Sequence, residues 1–397
     1  MIFMNPRVAL FADTFHETNG AANFLRRLVD YAKAKNYDFL CVRSGEETGF
    51  YKDGSVSLLN LKRGRGSIPL DGALKFDPFL WKHKKLVAET FRDFAPNVIH
   101  ITGLNDISQF GYYFAHFKKI PAVATWHTNA HEYAAQRFLS VIPFVSGDAK
   151  KKIGKTVETF LFRGLMKLYF LAQMQLAPNE ELVDEIRRLT RRPSFLLGRG
   201  VDTDLLSPTK RARRADEREI VIGFVGRLRP EKNVRFLADI ETALQKANIR
   251  NYRFTIVGEG GERVWLENNL QNVHLTGEIF GDELARTYAN MDLFVFPSQT
   301  DAFGNVVLEA MAAGVPAVVM NEGGPKFLIE TGVNGYIAEN NAAFVETVVR
   351  ILQNPQQLPA LGRAARRAAE EYSWESIFEK MFEYYKICMT FKKNVRA

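Results

Sequence analysis

Along the chain, short continuous apolar runs alternate with stretches in which apolar residues recur every three or four positions. Runs of four to eight apolar residues suit strands buried on both faces, and the intervening spacing suits amphipathic helices. In the first half the pattern predicts a strand at VALFAD (8–13), a helix over 21–35 and a strand at FLCVRS (39–44). Further strands are predicted at NVIHIT (97–102) and AVATWHT (122–128), each after a helical stretch. Residues 150–173 read as a helix whose apolar positions are Ile153, Val157, Phe160, Leu161, Leu165, Leu168 and Phe170. QLAPNEELVDEIRRL then reads as a short strand followed by a helix that Asn179 caps.

A second series follows GRGVDTDLLSPTKRARRADER (198–218), whose Gly, Pro and charge suit a linker. Its predicted strands are IVIGFVGRL (220–228), RFTIVGEG (253–260), VHLTG (273–277), DLFVFPS (292–298) and PAVVMN (316–321). The expected fold class is therefore α/β, with two Rossmann-like domains built on parallel sheets. The expected boundaries are 1–200 for an N-terminal domain, 201–374 for a C-terminal domain and 375–397 for a last helix beyond the second sheet.

Composition narrows the class. With 397 residues, 46% apolar and 25% charged, the chain reads as an ordinary two-domain globular protein. No run of eighteen apolar residues predicts a transmembrane helix, and the N-terminus reads as a first strand rather than a signal peptide. Cys41 and Cys388 are the only cysteines, which excludes a disulfide framework or a zinc site and suits a cytoplasmic protein. The net charge is +8, and residues 137–214 alone carry sixteen Lys or Arg against eight Asp or Glu. Such an excess suits an anionic partner, a membrane surface or a charged substrate; no nucleic-acid-binding motif accompanies it. Equally, it suits a plain solvated helix surface.

The chemistry concentrates in SQTDAFGNVVLEAMAAGVP (298–316). A strand enters a polar, glycine-tipped loop and a helix opens at about 303–305, so backbone N–H groups and the positive helix end can hold a phosphate. Asp301 and Glu309 bracket that point and can take hydroxyls on either side, which fits a nucleotide-sugar. In GFVGRLRPEKN (223–233), Arg227 and Lys232 share one loop with Gly226, and two cations there can grip a diphosphate. Gly20, after the first strand, allows close backbone approach at a helix start. His127 ends a strand, where ligand crevices form in open parallel sheets.

These segments together resemble the retaining glycosyltransferases of family four (group 1), which have the GT-B fold of two Rossmann-like domains facing a central cleft. The resemblance runs from Asn19 to the final helix, which in such proteins crosses back to the first domain. Asp301 and Glu309 match the family's E-x7-E pair, the first acid binding hexose hydroxyls and the second the ribose. Asp301 departs from the pattern by one methylene and reaches about 1.5 Å less far. Arg227 and Lys232 match the diphosphate-binding cations, and His127, within TWHTN, matches a histidine that contacts the transferred sugar. Gly20, Gly226, Gly258 (in IVGEGGER), Ile279 (in GEIFG), Ala302, Phe303, Gly304, Asn305 and Val306 fall in segments the family uses around the donor, and GGPKF (323–327) resembles a further motif there.

The resemblance implies a hexosyltransferase acting from a UDP- or GDP-sugar on a glycoconjugate or lipid-linked acceptor. It implies no metal and no cofactor, the nucleotide-sugar being a co-substrate. Asp202 and Asp204 spell D-x-D, the metal signature of another glycosyltransferase fold, but they sit in the expected linker. Lys150–Lys155, with Phe160, Phe162 and Tyr169, suits peripheral contact with an anionic membrane, at its inner face for a cytoplasmic enzyme. His131 and Glu132 are candidate acceptor contacts or an exposed turn, and residues 45–115 carry aromatics and basics without a readable motif. Another GT-B enzyme, an epimerase or phosphorylase, and a non-catalytic nucleotide-sugar-binding protein are the other readings.

Overall fold

A computed structural model describes residues 5–17, 20–71, 74–127, 147–214, 217 and 219–391. His131 and Glu132 lie outside the described residues, as do Thr128 and Asn129. Two compact units result: residues 1–198 with 375–397, and residues 199–374.

The first unit carries β1 (Val8–Ala12), β2 (Phe39–Gly45), β3 (Gly49–Asp53), β4 (Val56–Lys62), β5 (Ile68–Asp71), β6 (Leu74–Phe76), β7 (Val98–Ile101), β8 (Ala122–Thr125), β9 (Met174–Ala177) and β10 (Ser194–Leu196). Eight of them form one sheet in the order β10-β9-β8-β7-β1-β2-β4-β3, parallel except for β3. The hairpin β5–β6 stands apart as a two-stranded antiparallel sheet. Its helices are α1 (Gly20–Ala34), α2 (Lys84–Phe94), α3 (Asp106–Phe117), α4 (Gly147–Tyr169) and α5 (Glu180–Thr190). Asn179 caps α5 as expected, its side chain accepting from the Leu182 N–H at 2.9 Å.

The aromatic residues of α4 expected to meet a membrane divide between two faces. Phe162, Met166 and Tyr169 are buried, whereas Phe160 is 76% exposed and Ile153, Leu168 and, just past the helix, Phe170 also face outward. Buried Trp126 accounts for this, because Phe162 and Tyr169 pack on its ring at 5.6 and 5.2 Å. Aromatic contacts of that kind outweigh a count of apolar positions.

The second unit has one parallel sheet, β13-β12-β11-β14-β15-β16. Its strands are β11 (Ile220–Val225), β12 (Tyr252–Val257), β13 (Val273–Gly277), β14 (Leu293–Phe296), β15 (Ala317–Met320) and β16 (Gly335–Ala338). Helices α6 (Phe236–Lys246), α7 (Arg263–Asn269), α8 (Gly281–Ala289), α9 (Asn305–Ala312), α10 (Asn341–Gln353) and α11 (Leu358–Glu370) complete it. Phe224, Phe254, Phe294 and Phe296 are fully buried in its core, each such side chain contributing roughly 1.5–3 kcal/mol.

Residues 199–214 are not a loose linker. Val201 and Leu206 are buried in the second unit's core. Arg211 and Arg213 hold the two oxygens of Asp292, each at 2.6 Å, at the start of β14. Asp202 accepts from the Leu205 N–H at 3.0 Å, closing a turn. Composition reports a polar surface here, and ion pairing turns that surface into a strap.

The final helix α12 (Trp374–Thr390) packs on the first unit. Phe378 meets Phe24 at 5.3 Å, Phe382 stacks on Tyr37 at 4.2 Å, and the Tyr384 hydroxyl donates to the Leu196 carbonyl. Tyr385 and the imidazole Nδ1 of His100 are 2.8 Å apart, while His100 Nε2 lies 2.6 Å from the Thr125 hydroxyl.

Candidate active site

In the second sheet the strand order reverses between β11 and β14, since β12 and β13 extend one way and β15 and β16 the other. A crevice for ligands opens at the carboxyl ends of the strands at such a point. The loops after β11 and β14 carry Gly226, Arg227 and Lys232 on one side and Asp301 through Gly304 on the other. Sheet order therefore brings together two segments that are distant in sequence.

Lys232, only 7% exposed, places Nζ 2.6 Å from Asp301 Oδ1. The Ser298 hydroxyl donates to Asp301 Oδ2 at 2.5 Å, so both carboxylate oxygens are engaged. Lys232 also lies 5.9 Å from the centroid of the Phe296 ring. Arg227 is nearly half exposed, with a guanidinium nitrogen 3.7 Å from Glu231 Oε1. The short acid at 301 fits this arrangement, because Lys232 and Ser298 close directly on it.

Helix α9 opens at Asn305, with Gly304 before it at φ 93°, a left-handed conformation that favours glycine. The first turn of a helix presents N–H groups that no helical carbonyl reaches, and here that turn includes Asn305 and Val306. Ala302 and Phe303 are buried, and the Phe303 ring belongs to the core, so only backbone at these positions suits a ligand. Glu309 lies further along α9 and accepts from the Tyr288 hydroxyl at 2.9 Å. Burial, and then Glu309 beside it, raise the Tyr288 pKa well above its ordinary value, which keeps that donor protonated.

The glycine pair of GGPKF acts as a buttress. A Cβ at Gly324 would lie 2.0 Å from the Ala302 carbonyl oxygen, and the Gly324 N–H donates to the Asp301 carbonyl at 2.6 Å. Gly323, at φ 77°, faces the carbonyls of Asp301 and Gln299. Gly258 plays a similar part at the other loop: at φ 133°, a Cβ there would meet the Gly226 oxygen at 2.0 Å. Ile279 lies between β13 and α8, half-buried against the core.

Gly20 and His127 belong to the first unit. Gly20 is the first residue of α1, after β1, and His127 follows β8 with its ring 5.2 Å from Phe24, edge to face. Among the described residues, no group of three or more His, Cys, Asp or Glu side chains is placed to hold a metal. Ser298 and Tyr288, which hold the two acids, were not singled out by the sequence. The position of Ser298, three residues before Asp301 in the same loop, is the signal that could have found it.

The description "Glycosyltransferase Family 4" matches residues 18–205, and "Glycosyl transferases group 1" matches residues 219–354. A GDP-mannose-dependent alpha-mannosyltransferase of Corynebacterium glutamicum is 27% identical over 96% of this chain and 88% of its own. Among solved structures, sucrose-phosphate synthase from Thermosynechococcus elongatus aligns at TM-score 0.73 and 18% identity, covering 97% of this chain and 99% of that one. Anabaena HepE, solved with UDP and glucose, aligns at TM-score 0.64 and 18% identity over 96% of this chain and 99% of its own. The fold is the GT-B fold, and the chain belongs to the group 1, family four glycosyltransferases.

Proposed function

We propose that the protein is a retaining hexosyltransferase that moves a sugar from a nucleotide-sugar, GDP-mannose first among candidates, to a glycoconjugate or lipid-linked acceptor. The observation that carries this reading is the pairing of Lys232 with Asp301 beside the start of α9, at the reversal point of the second sheet. GDP-mannose is favoured because the Corynebacterium relative, similar along nearly the whole chain, is described as dependent on it.

In this scheme the diphosphate lies over the first turn of α9 and between the ammonium of Lys232 and the guanidinium of Arg227. An ammonium presents three donors, so holding Asp301 is compatible with a phosphate contact. Asp301 takes hydroxyls of the hexose, and Glu309, oriented by Tyr288, takes those of the ribose. As the glycosidic bond to the phosphate lengthens, negative charge gathers on the diphosphate and these fixed donors stabilise it without reorganising. The acceptor hydroxyl attacks from the same face and passes its proton to the departing phosphate oxygen, which retains the anomeric configuration. This chemistry is assigned to side chains and backbone donors, without a metal.

A panel of nucleotide-sugars in a thermal-shift assay, with donor hydrolysis followed in the same wells, tests the reading. Stabilisation and slow hydrolysis by one GDP- or UDP-sugar are the expected result. Equal indifference to every donor, with and without candidate acceptors, overturns it.

A further inference from the structure

We propose that His16 binds a hydroxyl of the acceptor substrate, its Nδ1 accepting the hydrogen bond; the identity of that ligand rests on the transferase reading. In the first sheet the strand order reverses between β1 and β7, so the carboxyl ends of the strands open on a crevice there. His16 is exposed on the loop between β1 and α1, at that rim. Neighbouring side chains hold the loop in shape. Arg26 of α1 donates from one nitrogen to the carbonyls of Phe15 and Glu17, at 2.9 and 3.0 Å. Phe15 is buried beside the Arg43 guanidinium, which lies 4.4 Å from the ring centroid, and Arg43 Nε donates to Asn60 Oδ1 at 2.9 Å.

The ring is fixed in one tautomer. His16 Nε2 lies 2.9 Å from the Ser44 carbonyl on β2. A carbonyl oxygen can only accept, so Nε2 carries the hydrogen, and in the neutral ring Nδ1 keeps a lone pair. Partial burial pushes the pKa of His16 below its ordinary 6.5. Arg43 and Arg26 push it the same way, against the Ser44 carbonyl and Glu46. At neutral pH the ring is therefore uncharged. Phe15 meets it edge to face at 5.4 Å, and among the described residues no second hydrogen-bond partner reaches it.

Charge selects the ligand. A bare imidazole nitrogen takes a hydrogen-bond donor. Arg43 and Arg26 repel an ammonium, and an ionised carboxylate or phosphodiester has no hydrogen to give. A metal ion needs further ligands, and among the described residues no group of three His, Cys, Asp or Glu is placed to supply them. A neutral hydroxyl meets every condition, so the acceptor presents an uncharged sugar or polyol at this point. If His16 did no more than tie the loop to Ser44, Nε2 alone would matter and Nδ1 would not.

Nitrogen–proton NMR of the histidine-labelled full chain, with His16→Gln to assign the ring, tests this without any nucleotide-sugar. The ring should be neutral with its hydrogen on Nε2 at neutral pH. Methyl α-mannoside, glycerol or myo-inositol should then move the Nδ1 resonance of His16. With the donor selected by thermal shift and the same polyols as acceptors, His16→Gln, which keeps a donor for Ser44, should raise the acceptor KM about threefold to tenfold. His16→Asn, which keeps an acceptor atom at the Nδ1 position, should lie closer to the native protein. Stabilisation by the donor should be the same in both variants as in the native protein. A charged ring, the opposite tautomer, a resonance indifferent to every polyol, or a native acceptor KM in His16→Gln overturns the proposal. So does a larger loss in His16→Asn than in His16→Gln. Because the NMR arm contains no nucleotide-sugar, failure of the donor assignment leaves it readable, and failure here leaves stabilisation by the donor intact.

Discussion

Lys232 and Asp301 meet at 2.6 Å although 69 residues separate them, one on the loop after β11 and the other on the loop after β14. The pair joins the two sides of the sheet's reversal point, and Ser298 fixes the second carboxylate oxygen. Lys232→Ala is expected to lower kcat by about tenfold to a hundredfold, the loss of one charge-assisted contact. Arg227→Ala should act in the same direction with little effect on folding, because Arg227 is nearly half exposed. Steady-state rates and melting temperatures of both variants decide the matter; a near-native rate in either contradicts its role.

Asp301→Glu inserts a methylene where Lys232 and Ser298 already close at 2.6 and 2.5 Å. The longer acid must push one of them away or bend off its preferred rotamer, at a cost of about 0.5–1.5 kcal/mol. Although this substitution restores the longer acid of the family pattern, it should reduce turnover and lower the melting temperature. A rise in turnover would show that the loop tolerates either length.

Gly324→Ala tests the buttress. The added methyl would sit 2.0 Å from the Ala302 oxygen and 2.5 Å from the Phe303 nitrogen, so the 299–304 loop must shift. Overpacking of this kind costs about 1–3 kcal/mol. Donor affinity should fall along with stability, read by thermal shift with and without nucleotide-sugar. Gly66→Ala, where the added methyl meets nothing within 4 Å, is the matching control.

Asp13 follows β1 in a buried position, accepting from the N–H groups of Ser108 and Asn105. Burial pushes its carboxyl up to about 6 from an ordinary 3.8, against the lowering effect of those hydrogen bonds. Between those two values the folded protein keeps the proton that the unfolded chain has lost. Stability from this group therefore falls as pH rises across the window and stays level above it. Urea unfolding of the native protein and Asp13→Asn from about pH 4.5 to 7.5 should show their difference declining towards pH 6 and then flattening. A difference that is flat throughout would rule out the shift.

Tyr385 anchors α12 through His100, which in turn meets Thr125. Tyr385→Phe removes the hydroxyl and leaves a buried imidazole nitrogen without it, at about 1–3 kcal/mol. Denaturant unfolding should report that loss, and the 375–391 segment should become more accessible to protease.

The alternation of strands and helices was legible in the sequence because burial on both faces of a parallel sheet writes continuous apolar runs into the chain. Local chemistry was legible as well: the Asn179 cap, and a helix opening beside Gly304 after the last polar loop residue. The candidate donor segments were found by resemblance, and the acids and cations within them by residue type. What each of those groups touches was not legible. Lys232 on Asp301, Tyr288 on Glu309 and Arg213 on Asp292 join residues from different elements, and only sheet order sets them side by side. The buried face of α4 escaped for the same reason, since Trp126 on another segment chooses between its two apolar stripes. The strands β3, β5 and β6 were missed because edge and hairpin strands expose a face and break the apolar run. Periodicity along a chain records which side of an element is buried, and pairing across space depends on which element arrives opposite it.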